Sequence, residues 1–125
     1  MSTEILVLDD EEMVCERLKE YLEKREIQVE TFTESAKALD RLAQRSFDVV
    51  VTDLKMSGAT GLDVLRHVKQ HSPGTPVIII TAYATIETAK EAEIVGAFDF
   101  ICKPFQLQDM HAKIKRAAKK SRRRR

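Results

Sequence analysis

Short apolar, β-rich runs and longer segments of helical period alternate five times along this chain, and few folds accommodate that rhythm. The runs are Ile5 to Leu8, Ile27 to Phe32, Val49 to Val51, Val77 to Ile80 and Phe98 to Ile101. Their length and their Val and Ile content predict strands. Residues at three- and four-residue spacing then mark one face of a helix after each strand. The sets are Val14, Leu18, Tyr21 and Leu22; Ala36, Leu39, Leu42 and Ala43; Leu62, Leu65 and Val68; Ile86, Ala89 and Ala92; and Leu107, Met110, Ile114 and Ala117. Each set is expected to be buried. Strands joined through helices pair in parallel, so the prediction is an α/β chain with an open, doubly wound, five-stranded parallel sheet and five flanking helices. Val49 to Val51 and Val77 to Ile80 are apolar on both faces and suit interior strands, whereas Val29 and Thr31 alternate with Glu30 and suit an edge.

Turn chemistry supports these divisions. Thr33, or Glu34 and Ser35, can cap the second helix; Ser72, Pro73, Gly74, Thr75 and Pro76 separate the third helix from the fourth strand; Gly96 suits a left-handed helix stop. At 125 residues, with 43% apolar side chains, the chain is long enough to bury one core. No apolar stretch has membrane-spanning length, and the amino terminus lacks the pattern of a secretory signal, so a cytoplasmic protein without membrane contact is expected. Cys15 and Cys102 lack metal-type spacing and are expected as small buried residues without a disulfide.

The net charge of +1 conceals an asymmetry. Residues 113–125 hold nine basic side chains and no acidic one, leaving 12 basic and 20 acidic residues in 1–112. The body is acidic and the tail basic. Four terminal arginines without interleaved aromatics offer no base readout, so the tail reads as a solvated helix end or a linker rather than a nucleic-acid site. Clustered like charges predict that order ends near Ser121 to Arg125.

The candidate chemistry lies at strand ends. Asp9 and Asp10 close the first strand, Asp53 follows Val49 to Thr52, and Lys103 follows Phe98 to Cys102. In an open parallel sheet the carboxyl ends of the strands share one edge, where ligands bind. Adjacent acids alone are commonly a solvated strand end, but three carboxylates and a lysine in register point to a phosphate and metal site. His67 and His71 have the spacing of helical metal ligands without an evident third, and read as an exposed helix face. Gly58 and Gly61 precede no Lys-Ser/Thr pair, so no Walker-type loop is present. The methionines Met13, Met56 and Met110 read as packing residues.

Four separated motifs carry a family resemblance: Leu8-Asp9-Asp10-Glu11, Val51-Thr52-Asp53-Leu54-Lys55-Met56, Ile80-Thr81-Ala82, and Lys103-Pro104-Phe105. In this order and spacing they resemble the receiver domain of bacterial two-component response regulators, the CheY-like, flavodoxin-like fold. Residues 1–119 would form the receiver and 120–125 a basic tail or truncated linker. The segment Thr81 to Ala89, with Gly96 to Asp99, is most similar to receivers of NtrC-like transcriptional activators. The resemblance implies strand order 2-1-3-4-5 and a role for each motif residue. Asp53 would be the phosphoacceptor. Asp10 directly, Asp9 through water, Asp53 and the backbone carbonyl of Lys55 would bind Mg²⁺, a hard cation that takes oxygen ligands. Carboxylates about 5 Å apart repel by roughly 3 kcal/mol at an effective dielectric near 20, which the cation would relieve. Lys103 and the Thr81 hydroxyl would meet phosphoryl oxygens, with the Leu54 and Ala82 N–H groups completing the cradle. Phe100 stands at the switch aromatic position and would turn inward when Thr81 moves. Being Phe rather than Tyr, it would signal through packing.

The implied partners are a sensor histidine kinase, docking on the first helix near Glu16, Arg17 and Glu20, and a second copy in a phosphorylation-dependent homodimer. DNA would be reached only through an output domain. The alternative is a stand-alone receiver acting as a phosphate shuttle or protein-binding switch. The chain is expected not to be an enzyme on external substrates, while catalysing its own phosphotransfer and autodephosphorylation. Lys55 and Tyr83 would tune that hydrolysis. One departure is visible: where the family usually has proline after the methionine, Met56 precedes Ser57, which predicts a more mobile loop. Two other classes fit less well. An aspartyl phosphatase would carry a second carboxylate where Lys55 stands, and a flavin module would need hydroxyl-rich residues where Asp9 to Glu12 stand.

Overall fold

The computed structural model describes residues 2–56, 58–82 and 85–121. Expectations resting on Ser57, on Tyr83 and on the arginine run 122–125 lie outside the described residues. The elements are β1 (Thr3–Leu8), α1 (Glu12–Glu23), β2 (Ile27–Phe32), α2 (Ser35–Gln44), β3 (Val49–Asp53), α3 (Gly61–His71), β4 (Val77–Thr81), α4 (Ile86–Val95), β5 (Asp99–Cys102) and α5 (Leu107–Lys120). The strands form one parallel sheet in the order β2-β1-β3-β4-β5. The doubly wound class and the strand order are as expected.

Alternation along the strands builds two cores. Ile5, Val7, Val49, Val51, Ile78 and Ile80 face α1 and α5, meeting Leu18, Leu22, Met110 and Ile114. Leu6, Leu8, Val50 and Ile79 face the other way, onto Ala38, Val64, Leu65, Val68 and Ala92. A strand covered on both faces has no polar side, and β3 and β4 are buried throughout. The α3–β4 turn is pinned by Thr75, whose hydroxyl donates to the Phe47 carbonyl at 3.2 Å. Gly96 ends α4 at φ 106° with its N–H on the Ala92 and Glu93 carbonyls, the left-handed stop expected.

Several burial expectations are corrected. Ile86 is 76% exposed, because it opens α4 about 120° around the helix from the buried Ala92; Ile94, across the helix from Ala92, is 84% exposed. On α2 the buried stripe is Ser35 and Ala38, with Ala36 and Ala43 outside. Glu34 is the N-cap of α2 without a side-chain cap bond, while the Ser35 hydroxyl instead accepts the Ala59 N–H at 3.1 Å, tying α2 to the β3–α3 loop. Cys15 is buried as expected, but Cys102 is exposed. It lies on the outer side of edge strand β5, where Phe100 and Cys102 face solvent and Ile101 faces the core. Met13 is exposed on α1 and therefore is not a packing residue.

Candidate functional site

Parallel pairing places the carboxyl ends of β1, β3, β4 and β5 on one edge. Asp9 follows β1, Asp53 ends β3, Thr81 ends β4 and Lys103 follows β5. The Lys103 N–H donates to the Thr81 carbonyl at 2.8 Å, extending the β4–β5 ladder to the lysine itself, and the Lys103–Pro104 peptide is cis. The Asp9 N–H donates to the Phe32 carbonyl at 3.0 Å, which fixes the turn leaving β1. Backbone ladders therefore set the site before its side chains interact.

Asp9, Asp10 and Asp53 each present a carboxylate oxygen within 4.8 Å of the others. Asp9 has no exposure and Asp53 is 6% exposed, whereas Asp10 is open to solvent. Burial, then the charge of Asp9, pushes the Asp53 carboxyl from 3.8 to about 6, against the opposing charge of Lys103. The Lys103 ammonium lies 3.0 Å from Asp9 Oδ2 and 3.3 Å from Asp53 Oδ2. Burial disfavours its charge, but hydrogen bonds to Glu11 and Asp9 and the fields of Asp9 and Asp53 outweigh that and raise its pKa.

The donor set fits a small hard cation. Asp9 Oδ2 is buried and accepts no hydrogen bond despite its nearness to the lysine. The three carboxylates lie within 4.8 Å of one another, close enough to serve one hard cation, Asp10 and Asp53 directly and Asp9 through water. All three groups offer acidic oxygens, with no soft sulfur or imidazole among them.

The other sequence-predicted residues are placed as follows. Thr81 is buried at the end of β4, Ala82 is exposed just beyond it, and Lys55 is exposed in the bend after Asp53. The Leu54 N–H donates to the Ile80 carbonyl at 2.8 Å in this conformation. Phe100 is 36% exposed, on the outer side of β5. His67 and His71 stack with centroids 4.2 Å apart; His71 is exposed, but His67 is half-buried rather than part of an exposed face. Neither belongs to a metal-type cluster among the described residues.

Three contributors escaped sequence reasoning. Glu11, quoted only within a motif, contacts Lys103 Nζ at 2.6 Å. Cys15 lies under the acids with its thiol 3.4 Å from the Asp9 carbonyl, and burial followed by the Asp9 charge pushes its pKa up to about 11. Gly61 packs against the Asp53 backbone itself, since a Cβ there would stand 2.3 Å from the Asp53 carbonyl oxygen. Only Glu11 had a sequence signal, its place beside the acidic pair.

An open α/β module with three acids and a lysine at its switch edge defines the class of phosphate-responsive regulatory domains. The chain belongs to the response regulator receiver domain family, which matches residues 5–115. It is 35% identical over 113 residues to the DNA-binding transcriptional regulator NtrC of Escherichia coli K12, covering 90% of this chain and 24% of that protein. The chain thus spans about a quarter of the length of this NtrC-like relative. A response regulator receiver domain protein from Clostridium thermocellum superposes with TM-score 0.87 at 35% identity, covering 94% of each chain. The beryllofluoride-activated NtrC4 receiver domain dimer gives TM-score 0.87 at 31% identity, covering 93% of this chain and 96% of that one. The similarity to NtrC-like activators agrees with the sequence reading.

The comparisons correct one expectation. They identify a regulatory phosphoacceptor domain and give no catalytic activity, so the assignment of self-catalysed phosphotransfer and autodephosphorylation is withdrawn.

Proposed function

We propose that this chain is the receiver of a two-component system, with Asp53 accepting a phosphoryl group from a phosphohistidine on a sensor kinase. An Asp53 carboxylate oxygen bonds to phosphorus as the P–N bond breaks, its electron pair passing to the imidazole. The observation that supports this most is the buried Asp53 carboxylate within 4.8 Å of two other acids and 3.3 Å from the Lys103 ammonium. Asp9, Asp10, Asp53 and the Lys55 carbonyl would hold Mg²⁺, which when bound supplies positive charge for the carboxylates and the phosphoryl oxygens. Lys103 donates to the acyl phosphate, Thr81 turns its hydroxyl toward it, and the Ala82 N–H adds a further donor.

Phe100 is the proposed output. Its ring is partly exposed, and movement of Thr81 toward phosphate frees space for it to turn inward. That turn reshapes a surface which already exposes Ile86 and Ile94, and a second copy docks there once Asp53 is phosphorylated. The kinase docks beside the acids on α1, where Glu16, Arg17 and Glu20 are exposed. Residues 1–119 act as the receiver and the basic segment from 120 as a linker. Similarity to NtrC-like activators supports transcriptional output through a DNA-binding region, in the cytoplasm. Among the described residues no helix is long and apolar enough to cross a membrane.

The reading predicts that beryllofluoride with Mg²⁺, a stand-in for the acyl phosphate, shifts the amide resonances of Thr81 and Phe100 and of α4. Asp53→Asn should abolish those shifts. Equal shifts in native and variant proteins would sink the assignment of Asp53.

A further inference from the structure

Lys103 has more acceptors than its expected task requires. Its ammonium donates to Asp9 Oδ1 at 3.3 Å, to Asp53 Oδ2 at 3.3 Å and to Glu11 Oε1 at 2.6 Å. An ammonium has three N–H bonds, so all three donors are engaged. A phosphoryl oxygen arriving on Asp53 can gain a bond from Lys103 only if one of these acceptors withdraws.

The three differ in what withdrawal costs. Asp9 is fully buried and cannot exchange the lysine for water, and Asp53 keeps a carbonyl oxygen in the acyl phosphate that can still accept from the lysine. Glu11 can exchange the lysine for water, because its side chain is 61% exposed. Its side chain is also not engaged by the helix it precedes. Glu11 is the N-cap of α1, yet its side chain makes no cap bond. N-caps are normally short side chains folded onto the helix N–H groups, whereas this longer one is turned to Lys103. Its backbone N–H meanwhile donates to Asp9 Oδ1 at 2.8 Å, which orients the buried acid.

Building on the phosphoacceptor reading, we propose that Glu11 is a positioning residue that occupies the Lys103 donor destined for the phosphoryl oxygen and yields it when that oxygen arrives. Glu11 thereby opposes the switched state, and its 2.6 Å contact is the one broken on switching. Removing its charge frees the donor in advance.

The test compares native protein, Glu11→Gln and Glu12→Gln. Glu12 is the exposed first residue of α1, so its variant deletes the same charge one residue away without touching Lys103. Each is titrated with beryllofluoride at saturating Mg²⁺ by amide NMR, and the Lys103 Nζ resonance is followed without ligand. Glu11→Gln should bind beryllofluoride about threefold or more tightly than Glu12→Gln, the scale of one exposed ion pair. It should also shift the free Lys103 Nζ signal, which Glu12→Gln should leave in place. Glu11→Ala, with no acceptor at all, should move both readouts in the same sense. Equal affinities and an unmoved Nζ signal in the Glu11 variants would overturn the role of Glu11 alone. No beryllofluoride binding by the native chain would overturn the phosphoacceptor reading, and this inference with it.

Discussion

Asp53 sits where its own charge is disfavoured, and this makes a prediction about stability. Without metal, its pKa rises from 3.8 to about 6 through burial and the Asp9 charge. Between those values the folded chain holds a proton that the unfolded chain has released, so this group lowers stability as pH rises through that window. Asp53→Asn removes the titration. In chelator, the variant's stability advantage over the native chain should grow by about 1–3 kcal/mol between roughly pH 4 and pH 7, as read by urea unfolding. Mg²⁺ should narrow the gap, because it binds the folded native chain and lacks one ligand in the variant. A pH-independent gap would show that Asp53 carries its charge without strain. The roles of Asp9, Asp10, Asp53 and Lys103 were suggested by strand-end position, because parallel pairing converts chain order into one edge. The contact of Glu11 with Lys103 was hidden, since nothing in the sequence says which way a long N-cap side chain turns.

At the scale of elements, the start of α3 packs closely against the end of β3. The Gly61 N–H donates to the Leu54 carbonyl at 2.9 Å, and α3 starts with a reciprocal cap between Thr60 and Asp63. A Cβ on Gly61 would meet only backbone, the Asp53 carbonyl oxygen at 2.3 Å and Leu54 Cα at 2.8 Å. Gly61→Ala should therefore destabilise the chain by about 1–3 kcal/mol and displace the amide signals of Asp53 and Leu54 before any ligand is added. Unchanged unfolding midpoint and spectrum would mean that the loop absorbs the methyl group freely. Sequence reasoning took Gly61 only as part of a non-Walker loop, because close approach between α3 and β3 is a tertiary fact. The same limit explains α4. Ile86, Ala89 and Ala92 have helical spacing, but only contact with the sheet decides that Ala92 is inside and Ile86 outside.

For the whole molecule, alternation of strand and helix was enough to predict a parallel doubly wound sheet, and two-sided hydrophobicity placed β3 and β4 inside it. The order of the strands came from the family motifs, since periodicity does not specify which neighbours pair. Edge character was legible for β2 from its alternating polarity, but the outward placement of Cys102 on β5 was not, because the run Phe98 to Cys102 is almost wholly apolar. The convergence of four strand ends is the central claim, and it ties the fold to one acceptor. The most direct test is to incubate native protein and Asp53→Asn with Mg²⁺ and a sensor kinase phosphorylated on its histidine, then measure intact mass and map the modified peptide. One phosphoryl adduct on Asp53, not formed when chelator is present and absent from the variant, is the predicted result. An adduct on another residue, or equal modification of the variant, would contradict the account.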